Sequence, residues 1–275
     1  MPNGPLYINK LIHKKAQPYS HPTPTTSPQL KPPKPIPKMS NPPTITILPA
    51  SPEDAPTLTR IHGDAFQNST LLDLMFGPPT DENLKGFTAQ LAELIANDKT
   101  ARFTKAVDND TNKIVGWSWW NIFPDHKSRL EGSEAFAKDH TDPPESAISP
   151  EAYREYFRGV EERREKWVGG RAVICEFLSD VFPLDCPCLL KFLRVLVVLP
   201  EYQRKGVGAK LMTKGLEEAT ALNLPVWLES SEEGYALYKK LGFKDLNDSI
   251  VMDLTKYGES GIATTACMLL ENGNP

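Results

Sequence analysis

The sequence predicts one α/β domain running from Thr44 to about residue 272, preceded by an unstructured tail. Three observations carry that reading. Residues 1–43 are rich in Pro, Thr, Ser and Lys. Beyond them, short β-branched or apolar runs alternate with stretches of helical spacing. Within that alternation, an apolar run over 188–199 feeds a two-glycine turn and then an amphipathic stretch, as a buried central strand feeds a helix.

The tail, including "HPTPTTSPQLKPPKPIPKMSNPP", cannot bury enough apolar surface to offset its ordering entropy, so residues 1–43 are read as disordered. A mitochondrial transit peptide is the alternative reading of residues 1–38, opposed by the lack of arginine and of an amphipathic helix. Met39 reads as a natural start. Residues 44–48 alternate as a strand does. Ser51, Pro52, Glu53 and Asp54 open a helix: an N-cap, a proline at the first position, acids in the first turn. Ala55, Leu58, Ile61, Ala65 and Phe66 continue it, with His62 beside the stripe as a packed histidine. Residues 83–97 form a second helix. "ARFTKAVDNDTNKIVGWSWWNIF" is a hairpin about an Asn/Asp turn. Residues 125–150 are a polar loop, and Ser149-Pro150-Glu151 starts a charged helix to about Trp167. After the central strand, Val207, Leu211, Met212, Leu216, Ala219 and Leu222 share one helix face, ended by Asn223 and Pro225. "VWLES" is a short strand, and "SEEGYALYKKLGF" is a helix stopped by Gly242. Strands near 249–254 and 263–270 complete the domain.

Composition narrows the function classes. The chain carries a net charge of −4, yet residues 1–43 hold six lysines and no acid, so the rest is formally about −10. That balance gives no case for nucleic-acid binding and favours a cationic partner by field alone. Cys175, Cys186, Cys188 and Cys267 lack zinc-ligand spacing, so no metal is expected, and unpaired thiols fit a reducing compartment. No apolar run reaches the roughly 18 residues of a membrane span. The expected location is cytoplasmic, or mitochondrial if residues 1–38 act as a targeting segment. Oligomeric state is not legible.

The glycine turn carries the chemistry. A strand ending in a turn that starts a helix leaves backbone N–H groups converging on one place, where the helix dipole adds partial positive charge. Gly206 and Gly208 admit close approach of an anion, and Arg204, Lys205 and Lys210 add full charges. A diphosphate ligand follows. A Walker A loop is excluded, because Lys210 is followed by Leu211 and no glycine stands five residues before Gly208. A dinucleotide fingerprint is excluded, because Leu211 occupies its third small position.

"VVLPEYQRKGVGAKLM" resembles motif A of the GCN5-related N-acetyltransferases, whose Gln/Arg-x-x-Gly-x-Gly/Ala pattern is here Gln203 to Gly208. "ALYKKLGF" resembles the family's motif B, with its Tyr-x-x-x-Gly-Phe. Motif A spans about 195–222 and motif B about 226–243. Residues 188–254 match well, and 44–123 loosely, like the opening of many fungal members. Residues 125–187 match nothing and read as a variable insertion on the substrate side.

The resemblance implies a mixed, mostly antiparallel sheet flanked by helices and splayed at the central strand. It implies acetyl-coenzyme A as co-substrate and direct transfer of its acetyl group to a primary amine, on a small molecule or a peptide. The alternatives are a non-catalytic acyl-coenzyme A binder on the same fold and an unrelated α/β nucleotide-binding protein. Leu196, Val197 and Val198 would hold the pantetheine arm and the thioester oxygen through backbone groups. Gln203, Arg204, Lys205, Gly206, Val207, Gly208 and Ala209 would hold the diphosphate. Tyr238 occupies the position of the tyrosine that contacts the cofactor and protonates the leaving thiolate, with Tyr235 a possible substitute. Ser231 stands where many members place an Asn against coenzyme A; capping of the following helix is its other reading. Many members carry an acid on the central strand; Leu193-Arg194 stand there instead. Glu229 is the best remaining carboxylate for a general base, or simply an attractor for a cationic amine.

Overall fold

The computed structural model describes residues 43–123, 131–132, 140, 142–169 and 190–271. The predicted tail, Cys175, Cys186, Cys188 and much of the 125–187 insertion lie outside these residues.

Strand β1 (Ile45–Pro49) is followed by a 3-10 turn over Pro52–Asp54 and helix α1 (Ala55–Ala65). The Ser51 N–H donates to the Asp54 carboxylate at 2.8 Å, closing the helix start that the sequence spells. Helices α2 (Thr70–Phe76) and α3 (Asp81–Asn97) follow, capped by the hydroxyls of Ser69 and Thr80. The hairpin is β2 (Ala101–Asp108) and β3 (Lys113–Phe123), turning at Asn112 with φ 54°. Helix α4 (Pro150–Arg164) leads into a π-helical turn over Glu165–Gly169. Then come β4 (Leu190–Val198), α5 (Val207–Ala221), β5 (Val226–Ser230) and α6 (Glu232–Lys240). Strands β6 (Lys244–Asp245), β7 (Ile250–Asp253) and β8 (Ile262–Leu270) close the domain.

The sheet runs β1-β2-β3-β4-β5-β8-β6, with β7 also on β8. Every pair is antiparallel except β4 with β5. Both faces are covered, so the inner strands read as nearly continuous apolar runs. On one face, Val207, Leu211, Met212 and Leu216 of α5 and Tyr238 of α6 pack on Val115, Trp120, Val226 and Leu228. On the other, α1 packs on Phe103, Trp117 and Val197, and α2 and α4 pack on Phe192, Trp227 and Leu269. Trp117 is fully buried and donates its indole N–H to the Leu58 carbonyl at 2.8 Å, which fixes α1 to β3. His62 lies among Phe66, Phe87 and Trp117, and burial pushes its pKa down to about 4. It packs, as the sequence suggests.

Candidate functional site

Strand β4 is paired on both sides only at its start. It meets β5 at Lys191, Phe192 and Leu193, and there the parallel ladder ends. Against β3 it continues to Val198, but the register slips between Trp119 and Trp120, whose partners are Val195 and Leu193. Arg194 is therefore the extra residue of a β-bulge, and it reverses which residues of β4 face each neighbour. Before the bulge, the Lys191 N–H points to β5, where it donates to Pro225. After it, the Leu199 N–H points to β3, donating to Val115, so the backbone groups of Val195 and Val197 also face β3. Those of Leu196 and Val198 face the opening left by β5. This corrects one expectation: the peptide groups of Val197 belong to the β3 ladder and are not offered to a ligand, while Leu196 and Val198 stand at the open edge.

Above the opening lies the turn into α5. Gly206 is the N-cap residue with φ +84°, and a Cβ added to it would meet nothing within 4 Å. The first helical bond runs from the Lys210 N–H to the Gly206 carbonyl at 3.1 Å, so the N–H groups of Val207, Gly208 and Ala209 precede it. Arg204 also has a positive φ, 59°, and residues 203–206 are exposed. Gln203 and Lys210, two side chains assigned to an anion, are instead bonded to backbone carbonyls, while the exposed Lys205 stays beside the turn. Gln203 donates to the Val198 carbonyl at 3.1 Å, Lys210 donates to the Ile45 carbonyl at 3.3 Å, and the Lys205 ammonium sits 5.4 Å from the Tyr202 ring centroid. The Val207 side chain is buried in the core, so only its backbone can face the turn. Gly208 has a second role: a Cβ there would stand 3.3 Å from Leu237 of α6.

Tyr238 points back along α6 over Gly234, where a Cβ would stand 2.8 Å from the tyrosine's Cε2 and 3.5 Å from the Ser230 Oγ. Its phenol end therefore lies by the last residue of β5, at the mouth of the opening. The residue is 6% exposed, and burial pushes its pKa above the ordinary tyrosine value. Tyr235 is committed elsewhere, donating to Asp245 at 2.8 Å. It is not placed to substitute. Ser231 makes no side-chain capping bond on α6, so that reading is not realised.

Glu229 lies on the other side of the sheet from Tyr238. Arg164 of α4 holds it with two bonds, Nε to Oε1 at 2.7 Å and Nη2 to Oε2 at 2.8 Å, and the Trp227 indole donates to Oε1 at 2.6 Å. Burial pushes the carboxyl up, but Arg164, Trp227 and Arg194 outweigh it, and its pKa lies below the ordinary glutamate value. A carboxylate so held is a poor proton acceptor, which argues against the general-base role. Arg194 donates to the Asn121 side chain at 2.9 Å, and both guanidinium groups lie over the Phe192 ring, at 5.2 and 6.0 Å. Sequence reading missed Arg164. The signal was present: Tyr156, Val160 and Arg164 fall at successive four-residue steps, so the apolar stripe of α4 ends on the arginine. Trp119, on the same side, has a buried indole N–H with no partner among the described residues.

Among the described residues, no group of three or more His, Cys, Asp or Glu side chains is arranged to hold a metal, and no helix is long and apolar enough to cross a membrane.

A strand that parts from its neighbour beside a helix-capping glycine turn, within a mostly antiparallel sheet, defines a fold class. Residues 159–245 match the family model of the acetyltransferase (GNAT) domain. A 50-residue stretch is 38% identical to the probable acyltransferase SID5 of Ajellomyces capsulatus. That stretch is 18% of this chain, and the match spans 37% of the relative's length. The polyamine N-acetyltransferase of Drosophila melanogaster, described as forming N-acetylagmatine, shares the fold with a TM-score of 0.54 at 12% identity, over 83% of this chain and 100% of that one. Arylalkylamine N-acetyltransferase 2 of Aedes aegypti aligns with a TM-score of 0.54 at 16% identity, over 82% and 98% of the two chains.

Proposed function

We propose that the protein transfers an acetyl group from acetyl-coenzyme A to a primary amine. The observation that carries this reading is the parting of β4 from β5 after Leu193, directly below the Gly206 turn. The residues fit the co-substrate. The space beside Gly206 is open, the N–H groups of Val207, Gly208 and Ala209 suit a diphosphate, and the backbone groups of Leu196 and the N–H of Val198 suit a pantetheine amide. Acetyl-coenzyme A, when bound, supplies an activated acyl group on a thioester. The chain's own residues then orient it and manage protons. The Leu196 backbone at the open edge suits the carbonyl oxygen, where a lost donor typically costs about 2.7–4 kcal/mol of transition-state stabilisation. Tyr238, whose raised pKa keeps its proton at neutral pH and whose ring lies by Ser230 at the end of β5, would serve as the acid for the leaving thiolate. Glu229 takes the role of a fixed charge in an ion pair and not that of the base. The fold neighbours named for polyamines and arylalkylamines support a small amine acceptor over a peptide.

One observation favours a second reading. Glu229 is clamped by Arg164, and Arg194 stands where many members carry an acid, so the protein would bind acyl-coenzyme A without catalysis. Thiol release from acetyl-coenzyme A with a panel of amines separates the two. Release that depends on one class of amine supports the enzyme. Tight binding with no release for any amine supports the binder. A melting temperature raised equally by NAD and by acetyl-coenzyme A would sink both.

A further inference from the structure

The turn that caps α5 is anchored to a distant part of the sheet. Asp108, the last residue of β2, is only 4% exposed. Its Oδ2 accepts the Tyr202 hydroxyl at 2.7 Å and the Thr111 hydroxyl at 2.9 Å, and its Oδ1 accepts the Asp110 N–H at 3.1 Å. Tyr202 is the last residue of the 3-10 turn Pro200–Tyr202, its own N–H bonded to the Leu199 carbonyl at 2.8 Å. The next four residues, 203–206, are the exposed glycine turn. The Tyr202 ring carries the Lys205 ammonium on its face, 5.4 Å from the centroid. A carboxylate at one end of the phenol, a cation over its ring and the hairpin behind it thus form one connected unit. The hydroxyl bond holds the Asp108 carboxyl below its ordinary pKa and raises that of Tyr202, as a charge-assisted bond does.

An exposed turn preceding a helix has few contacts of its own to fix it. Here the fixing comes from outside the turn: Tyr202 to β2, Gln203 to the Val198 carbonyl, and Lys210 to β1. Of the three, the Tyr202 bond is the shortest and the one that also places a cation. We propose that Asp108 and Tyr202 are positioning residues for the diphosphate. They hold the 203–206 turn in the shape in which its N–H groups converge, and Lys205 close beside it. This rests on the reading that the turn takes the diphosphate of coenzyme A. The strut contributes to affinity for the nucleotide end of the co-substrate and not to chemistry at the thioester.

The test compares two acetyl donors, acetyl-coenzyme A and S-acetylpantetheine, which lacks the diphosphate and nucleotide. Tyr202→Phe keeps the ring and its packing and removes only the hydroxyl. The expected result is a rise of about tenfold in Kd for acetyl-coenzyme A by calorimetry, with KM rising alike and kcat nearly unchanged. The kcat/KM for S-acetylpantetheine should stay at the wild-type value. Asp108→Asn retains an acceptor for the hydroxyl and should cost less than Tyr202→Phe. The double variant should be no worse than Tyr202→Phe alone, because once the hydroxyl is gone Asp108→Asn has no link left to weaken. An unchanged Kd for acetyl-coenzyme A in Tyr202→Phe overturns the proposal. So does equal loss with both donors, since that marks general loosening of the fold. A wild-type protein that does not bind acetyl-coenzyme A removes the functional reading, and this inference with it.

Discussion

Gly206 and Gly208 stand two residues apart and are required for different physical reasons. At Gly206 the demand is conformational, a φ of +84° beside open space. At Gly208 it is steric, with Leu237 3.3 Å from where a Cβ would stand. Gly206→Ala should cost about 1 kcal/mol of stability, read in urea melts, and should weaken acetyl-coenzyme A binding more strongly, because the new methyl occupies the approach. Gly208→Val should instead lower stability chiefly by pushing α5 from α6. Equal binding loss in the two at matched stability would refute this division. Tyr238 gives a sharper contrast. Tyr238→Phe keeps the ring that packs at 5.8 Å on Phe243 and removes the hydroxyl. If the phenol is the general acid, kcat should fall by about 10²–10⁴ while the Kd for acetyl-coenzyme A stays fixed. A wild-type rate would remove Tyr238 from the mechanism. Gly234→Ala should imitate part of that loss by displacing the ring.

Among the elements, the join of α4 to β5 is ionic. Arg164 and Glu229 are 15% and 10% exposed at their side chains, so each stands largely out of water. Removing one partner strands the other. Arg164→Met should cost about 3–5 kcal/mol, whereas pairing it with Glu229→Leu should recover most of that loss. Chemical denaturation of the single and double variants checks this; a double variant as unstable as the single one would show that the pair itself holds α4 in place. The same join shows what the sequence concealed. Long periodic helices and the hairpin were legible, because their spacing is local. Helix α2, seven residues, and β6, two residues, were too short to leave a pattern. The bulge at Arg194 inserts one residue into a run that stays apolar on either side, so nothing in "FLRVLVV" marks it. The splay itself was expected from family resemblance and not from residue spacing. Glu229 looked like a base because its clamp lies 65 residues upstream in sequence, on a helix whose docking face only the fold defines. Gln203 and Lys210 looked like anion ligands because backbone carbonyls, their partners here, carry no sequence signature.

For the whole molecule, two bases whose pKa values burial lowers contribute to how stability varies with pH. His62 has a pKa of about 4 in the fold against an ordinary 6.5. Between those values the unfolded chain binds a proton that the folded chain does not, so stability is lost as pH falls from about 6.5 to about 4. Lys191 acts at the other end. Its side chain is 1% exposed, beneath α5, where Nζ donates to the Gly215 carbonyl at 2.6 Å, approaches Glu218 at 3.4 Å and lies 4.9 Å from the Trp120 centroid. Burial pushes its pKa from 10.5 down to about 8, against the attraction of Glu218. The folded protein therefore releases this proton near pH 8, while the unfolded chain keeps it to about 10.5. Stability from this group rises with pH across that window, by up to about 3 kcal/mol. Cys267 works against it: burial raises its thiol pKa from 9.0 to about 12, so its contribution falls above pH 9. The two are separated by a difference measurement. Lys191→Met removes one titration and leaves the thiol in place. At pH 7 the variant should be the more stable protein, because it buries no charge and leaves Glu218, 37% exposed, in contact with water. Its advantage over the wild type should shrink steadily between pH 8 and 10.5. Urea melts of both proteins at half-unit steps of pH read this directly, and a gap that stays constant across the range would mean that Lys191 keeps its proton in the fold.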